Sequence, residues 1–178
     1  MNHRLFVIVT TATALTLTFA APALADDTYA TVTVTTGALE ITAPVAATSA
    51  PISLGSDVNT VSGTVISGTL GQVRVDDARG VAAGGGWVAT AISTAFTPPA
   101  GPTIGAAQVG YTAGPITQVG TATYTANNPT NMTGVSSVLT ATGITGSNSA
   151  TWSPTINVRL PGNMAAGVYK AMITHSVA

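Results

Sequence analysis

Few side chains of this sequence could take part in chemistry, and their spacing brings few of them together. Asp76 and Asp77 are adjacent, but neighbouring residues of a strand point to opposite faces, so their carboxylates cannot converge on one substrate bond. We interpret the pair as a polar strand end before a turn at residues 78–80. A calcium site that joined Asp57 to this pair would need about six to eight oxygen ligands, and the spacing matches no known calcium loop. The sequence therefore predicts no metal site and no cofactor.

The sequence has two histidines and no cysteine. His175 shares one side of a predicted strand with Ile173 and Val177, which favours a hydrogen-bonded histidine at the edge of the core over a metal ligand. The sequence has almost no residues that could form the usual catalytic set of nucleophile, base and orienting group. We therefore expect no catalytic residues and no enzyme activity.

Trp87 is the first of two candidate binding residues. It follows Gly84–Gly86 and precedes Val88, Ile92 and Phe96, which we assign to the opposite, inward face of one strand. This pattern points Trp87 outward, where an indole could stack on a sugar ring or anchor a protein contact. A glycine bulge would instead re-aim the ring into the core. The pattern leaves both positions open.

Trp152 is the second candidate binding residue. It shares one side of a predicted extended segment with Ile156, Val158 and Leu160. An indole on such an apolar side is expected to fill the core rather than to contact a ligand.

The first 25 residues have the pattern of a secretory signal peptide. His3 and Arg4 precede an apolar run from Leu5 to Phe19, and the stretch closes on Ala23-Leu24-Ala25. Small side chains at such a site fit signal peptidase, so we expect cleavage between Ala25 and Asp26. The run is shorter than the roughly 20 apolar residues that span a bilayer. Residues 26–178 are then the mature protein, which we expect to be secreted as a single domain.

The composition restricts the partners of the mature protein. Charged residues make up 6% of the sequence and aromatic residues 5%, and no basic patch is present, so we expect no nucleic-acid binding. Every apolar run after Asp26 is broken within a few residues by Thr, Gly or Pro, so we expect no transmembrane anchor there. The absence of cysteine excludes disulfides, and stability must come from burial and sheet hydrogen bonds.

Alternating side chains predict an all-β fold. Threonine and valine alternate over residues 30–35, which is typical of a half-buried strand. Nineteen glycines and ten prolines separate further runs of this kind, and no later window shows helical spacing. About nine short strands favour an antiparallel β-sandwich, with a partly closed barrel as the alternative. The later strands are predicted at 39–42, 60–70, 72–76, 87–96, 121–126, 136–142, 150–160 and 168–177.

The order of these segments resembles that of bacterial WxL-domain surface proteins. The resemblance rests on residues 33–42, 68–80, 86–89 and 169–177, and it covers nearly the whole mature chain. The eponymous leucine is missing, because the two motifs read Trp87-Val88-Ala89 and Trp152-Ser153-Pro154. The resemblance implies an exported β-rich protein that attaches noncovalently to the cell wall, with peptidoglycan as the ligand.

Two functions fit these observations. The first is a noncatalytic, cell-wall-associated protein whose indoles and Thr/Asn-rich faces contact peptidoglycan or another wall polysaccharide. The second is a structural subunit or adhesin whose edge strands pair between copies, or with companion surface proteins, in a surface complex or fibre.

Overall fold

The computed structural model describes residues 30–47, 49–162 and 164–178. The chain divides into two compact units, Met1–Val34 and Thr35–Ala178, and only residues 30–34 of the first are described. The predicted signal peptide, with its cleavage site at Ala25 and Asp26, lies outside the described residues and stays a prediction.

The described part of the chain forms eight β-strands and one turn of 3-10 helix, Ala106–Gln108. This confirms the predicted all-β class. The strands are β1 (Leu39–Thr42), β2 (Thr64–Thr69), β3 (Val73–Ser93), β4 (Val109–Thr112), β5 (Ile116–Ala126), β6 (Ser136–Trp152), β7 (Thr155–Leu160) and β8 (Ile173–Val177).

All strand pairings are antiparallel, and they form two sheets. The larger sheet has the order β1-β3-β6-β5, with β8 also paired to β3. On one side of β3, β1 covers its first part and β8 its last part. This sheet is barrel-like and nearly closed. The smaller sheet has the order β2-β7-β4, so a β-sandwich and a partly closed barrel both describe the fold.

Strand β3 is continuous where the sequence predicts two strands. It pairs with β6 along its length, and its register shifts at several points between Asp77 and Thr90. Gly80 and Gly84 adopt positive φ angles of 62° and 98°, which glycine tolerates and other residues rarely do. The glycines that resemble loop punctuation are therefore bulges inside one long strand.

The chain passes from the larger sheet to the smaller at Ser153-Pro154, between β6 and β7. The predicted extended segment 150–160 is thus two strands in two sheets. Its predicted inward side is confirmed, because Trp152, Ile156 and Val158 are all buried. These residues join a core drawn from both sheets, whose other large members are Val73, Val75, Trp87, Ile104, Val109, Tyr111, Met132, Val138, Leu139 and Ile144.

The structure also differs from the sequence prediction at residues 30–35 and at β4. Residues 30–35 form no strand and pair with none of the described strands, and Val32 and Val34 are each 88% exposed. Alternation alone therefore does not provide a partner strand. Conversely, β4 was not predicted, because its four residues lie between Gly- and Pro-rich stretches and are too short to show a period. Its inward residues Val109 and Tyr111 are nevertheless fully buried.

Candidate functional site

Trp87 lies in the core, with 2% of its surface exposed. Its indole Nε1 donates to Oδ1 of Asn148 at 3.2 Å. The hydroxyl of Tyr124 donates to the same oxygen at 3.0 Å, and the rings of Trp87 and Tyr124 pack with their centroids 5.7 Å apart. The buried indole therefore has both a hydrogen-bond acceptor and an aromatic neighbour, as a core position requires.

Of the two positions that the sequence leaves open for Trp87, the structure shows the one in the core. On β3 the inward residues are Trp87, Ala89 and Ala91, whereas Val88 and Ile92 lie half-buried on the other face. Despite the register shifts of β3, odd-numbered residues face the core both before them, at Val73 and Val75, and after them. With Trp152 also 2% exposed, neither indole presents a face to a ligand.

Asp77 connects to the same polar cluster. Its buried carboxylate accepts from Arg79 Nε and Nη2, each at 2.9 Å, and from Asn148 Nδ2 at 3.4 Å. The hydrogen bonds from the Arg79 guanidinium lower the pKa of Asp77 below its ordinary value, against the opposing effect of burial. Asp77 is thus a structural ion-pair partner.

Asp76 and Asp77 lie on opposite faces, as the sequence predicts. The Asp76 side chain is 44% exposed and pairs with Arg74, with Nη2 and Oδ1 2.5 Å apart. The predicted strand end at this pair is wrong, because β3 continues through Ala78, Arg79 and Gly80.

His175 forms the predicted hydrogen bond. Its Nε2 lies 3.2 Å from the Tyr111 hydroxyl, which accepts from Trp152 Nε1 at 2.8 Å. Burial lowers the pKa of His175 to about 4 and raises that of Tyr111 well above its ordinary value. At neutral pH the neutral imidazole accepts from the phenol through Nε2, while its Nδ1 is buried without a hydrogen-bond partner among the described residues. The hydrogen bonds from His175 through Tyr111 to Trp152 hold the Trp152 indole in the core, so it is not exposed to a ligand.

The smaller sheet carries a group of neighbouring polar side chains that face solvent. We call the outward side of β2, β7 and β4 the polar face. Asn157 is at its centre, where it accepts from Ser67 Oγ at 2.8 Å and donates to Thr112 Oγ1 at 3.2 Å. The strand register places Arg159 opposite Val65. The polar face consists of Val65, Ser67, Thr69, Gly110, Thr112, Thr155, Asn157 and Arg159.

A shallow hollow of about 240 Å³ opens on the polar face. Gly110 lies in its lining, and a Cβ there would come within 3.6 Å of the Pro129 carbonyl oxygen. Hydroxyl, amide and guanidinium groups surround the hollow, from Thr112, Asn128, Thr130, Asn157 and Arg159.

The part of the polar face that β7 contributes could be predicted from the sequence. Thr155, Asn157 and Arg159 alternate with the buried Ile156 and Val158, so their common outward face can be read from the period. The contribution of β4 could not be read, because that strand was not predicted.

No metal site emerges in the part of the chain that the structure describes, where no three His, Cys, Asp or Glu side chains cluster. Asp57 is exposed and its Oδ1 accepts from the neighbouring Val58 N–H at 2.7 Å. It does not meet the pair at 76–77.

Comparisons with protein-family models, with curated proteins and with solved structures found no match to this chain. Within the described ranges, no helix has the length and apolar character needed to cross a bilayer.

Proposed function

We propose that this chain is a noncatalytic, exported protein that associates with the bacterial cell wall by contacting peptidoglycan or another wall polysaccharide with its polar face. The observation that supports this most is the hydrogen-bonded row Ser67–Asn157–Thr112 beside the open hollow. Export and wall attachment come from the signal-peptide pattern and from the resemblance to WxL-domain proteins.

The chemistry of the polar face suits a glycan. Sugar hydroxyls both donate and accept hydrogen bonds, and the Thr112 hydroxyl and the Asn157 amide can do the same. Arg159 is exposed and is not among the ion pairs found in the described residues. Its guanidinium can bind a carboxylate with two parallel hydrogen bonds, and peptidoglycan carries carboxylates on its peptides.

Binding at one such site is expected to be weak. The indoles are in the core, so no exposed tryptophan stacks on the sugar, and hydrogen bonds exchanged with water contribute little net free energy each. A wall polymer repeats its units, however, and many copies on one polymer gain avidity without new contacts.

Retention on purified wall sacculi tests the proposal. We expect the double variant Asn157→Ala/Arg159→Gln to be retained about tenfold less than the wild type, because it loses an amide and a charge-assisted contact. The matched control is Arg74→Gln, which removes the same charge from the exposed side of β3 and should be retained like the wild type. Equal retention of all three proteins would exclude the polar face as the wall-binding surface.

The second candidate is a structural subunit that assembles through strand edges. It is favoured by β5, which lies at the end of the larger sheet and pairs only with β6 among the described strands. An unpaired strand edge is a template for another strand.

A further inference from the structure

Strand β5 exposes a regular row of backbone groups. The Asn127 N–H donates to the Val138 carbonyl on β6. Since N–H directions alternate along a strand, the N–H groups of Tyr124 and Ala126 point away from β6. No backbone hydrogen bond reaches them from the described residues outside β5 and β6. The outer edge of β5 is thus able to accept a strand.

This edge lacks the features that usually prevent pairing. Natural edge strands are protected by lysines, prolines or inward charges, and β5, with the sequence ITQVGTATYTA, has no charged residue and no proline. Ala122, Tyr124 and Ala126 pack toward the core, while Thr121, Thr123 and Thr125 are exposed on the other face. An added strand would need the same alternation.

Residues 30–35 have that alternation, and no strand in the described part of the chain pairs with them. The sequence Ala-Thr-Val-Thr-Val-Thr places Val32 and Val34 on one face and threonines on the other. Both valines are 88% exposed, and the segment carries no charge.

We propose that residues 30–35 of a second copy add to the outer edge of β5 as an antiparallel strand. In the register that pairs Thr33 with Thr123, Val32 lies beside Tyr124 and Val34 beside Ala122. All outward neighbours are then threonine pairs, which are favourable across strands. A slip by one residue would place every valine on the solvent face. This inference rests on the second candidate function and names its partner and its edge.

The outer edge of β5 is better suited to pair with a single strand than with the edge strand of a second sheet. The larger sheet is nearly closed, so one strand fits beside β5 with less obstruction than another sheet. Each copy has one donor segment and one acceptor edge, which makes the contact heterologous, and such contacts extend into open chains unless the rotation closes a ring.

Sedimentation velocity over a range of concentrations tests the proposal, with the full chain expressed in an exporting host and the exported protein purified. Wild type should form a series of oligomers. Thr33→Lys/Thr123→Lys places like charges opposite each other across the contact and should raise the dissociation constant about five- to tenfold. Thr33→Glu/Thr123→Lys places opposite charges there and should assemble like the wild type.

The matched control is Thr33→Lys/Thr142→Lys. Thr142 lies on β6 directly beside Thr123, so this variant carries the same charges one strand in from the edge and should assemble like the wild type. The donor variant Val34→Lys should remain monomeric, because it puts a charge at a position that the contact buries.

Three results would overturn the proposal. A wild type that stays monomeric at all concentrations removes both this contact and assembly through strand edges. Equal assembly of the two Thr123→Lys double variants removes this contact alone and leaves another edge responsible. Undiminished assembly of Val34→Lys identifies a different occupant, such as β5 of the second copy.

Discussion

At the scale of single residues, Asp76 and Asp77 show that two identical side chains contribute differently to stability when they lie on opposite faces of a strand. Asp76 pairs with Arg74 in solvent, where ion pairs contribute little. The Asp77 side chain has no exposed surface and pairs with Arg79, which is 34% exposed. A carboxylate in that position is stabilised only while its cation remains.

We therefore expect Asp77→Asn to lower the free energy of unfolding by about 2–3 kcal/mol, because Arg79 loses its counter-charge in a half-buried position. Urea unfolding at pH 7 measures this. The neighbouring Asp76→Asn should change the free energy by less than about 0.5 kcal/mol. Similar losses in the two variants would show that Asp77 is not held as described.

His175 predicts a pH dependence of stability. Its pKa is about 4 in the folded protein, against about 6.5 when unfolded. Between these values the unfolded chain binds a proton that the folded chain does not, so stability falls as the pH drops. Allowing for screening of a partly exposed ring, we expect a loss of about 2 kcal/mol between pH 7 and pH 4.

The variant His175→Gln checks this assignment, since its side chain still accepts from Tyr111 but does not titrate. Its stability should be nearly flat between pH 6.5 and pH 4. Below about pH 4, both proteins should lose stability as Asp77 is protonated, because its pKa is lowered by folding. An unchanged slope above pH 4 in the variant would assign the effect to another group.

At the scale of elements, glycines decide where the chain can cross itself. A Cβ at Gly68 on β2 would collide with the backbone of Leu54, whereas a Cβ at Gly105 would meet no atom within 4 Å. Gly105 also has an ordinary φ of −64°. Leu54, in the segment that leads to β2, can therefore lie against this strand only because position 68 has no side chain.

We expect Gly68→Ala to destabilise the protein by about 2 kcal/mol or more, since the backbone of Leu54 must move. Gly105→Ala should stay within about 0.5 kcal/mol of the wild type. Thermal unfolding followed by circular dichroism compares the two. A Gly68→Ala variant as stable as the wild type would mean that the crossing adapts freely.

Elements with a clear period could be predicted from the sequence, and those that depend on distant partners could not. The bounds of β1 and the buried side of Trp152, Ile156 and Val158 follow from alternation. The continuity of β3 through Gly84–Gly86 depends on pairing with β6, which a local pattern does not contain. The pattern also left open whether Trp87 faces outward or into the core, because apolar residues lie on both faces of this part of β3.

At the scale of the whole molecule, both sheets contribute to one core, so they should unfold together. Trp87 lies in the larger sheet, and Trp152 lies where the chain leaves it for the smaller one. The variants Trp152→Phe and Trp87→Phe each keep a single tryptophan. In each variant, urea unfolding followed by the fluorescence of that tryptophan should have the same midpoint as unfolding followed by far-ultraviolet circular dichroism. Separate midpoints would show two independent folding units.

The position of β8 has a consequence for biosynthesis. β8 occupies a stretch beside β3 that no nearby segment fills, yet about 80 residues separate the two strands in the sequence. During translation the later part of β3 therefore gains this neighbour only after about 80 further residues have been synthesised. A sheet that receives a strand from so far along the sequence keeps an unpaired edge during synthesis, which is expected to slow its folding.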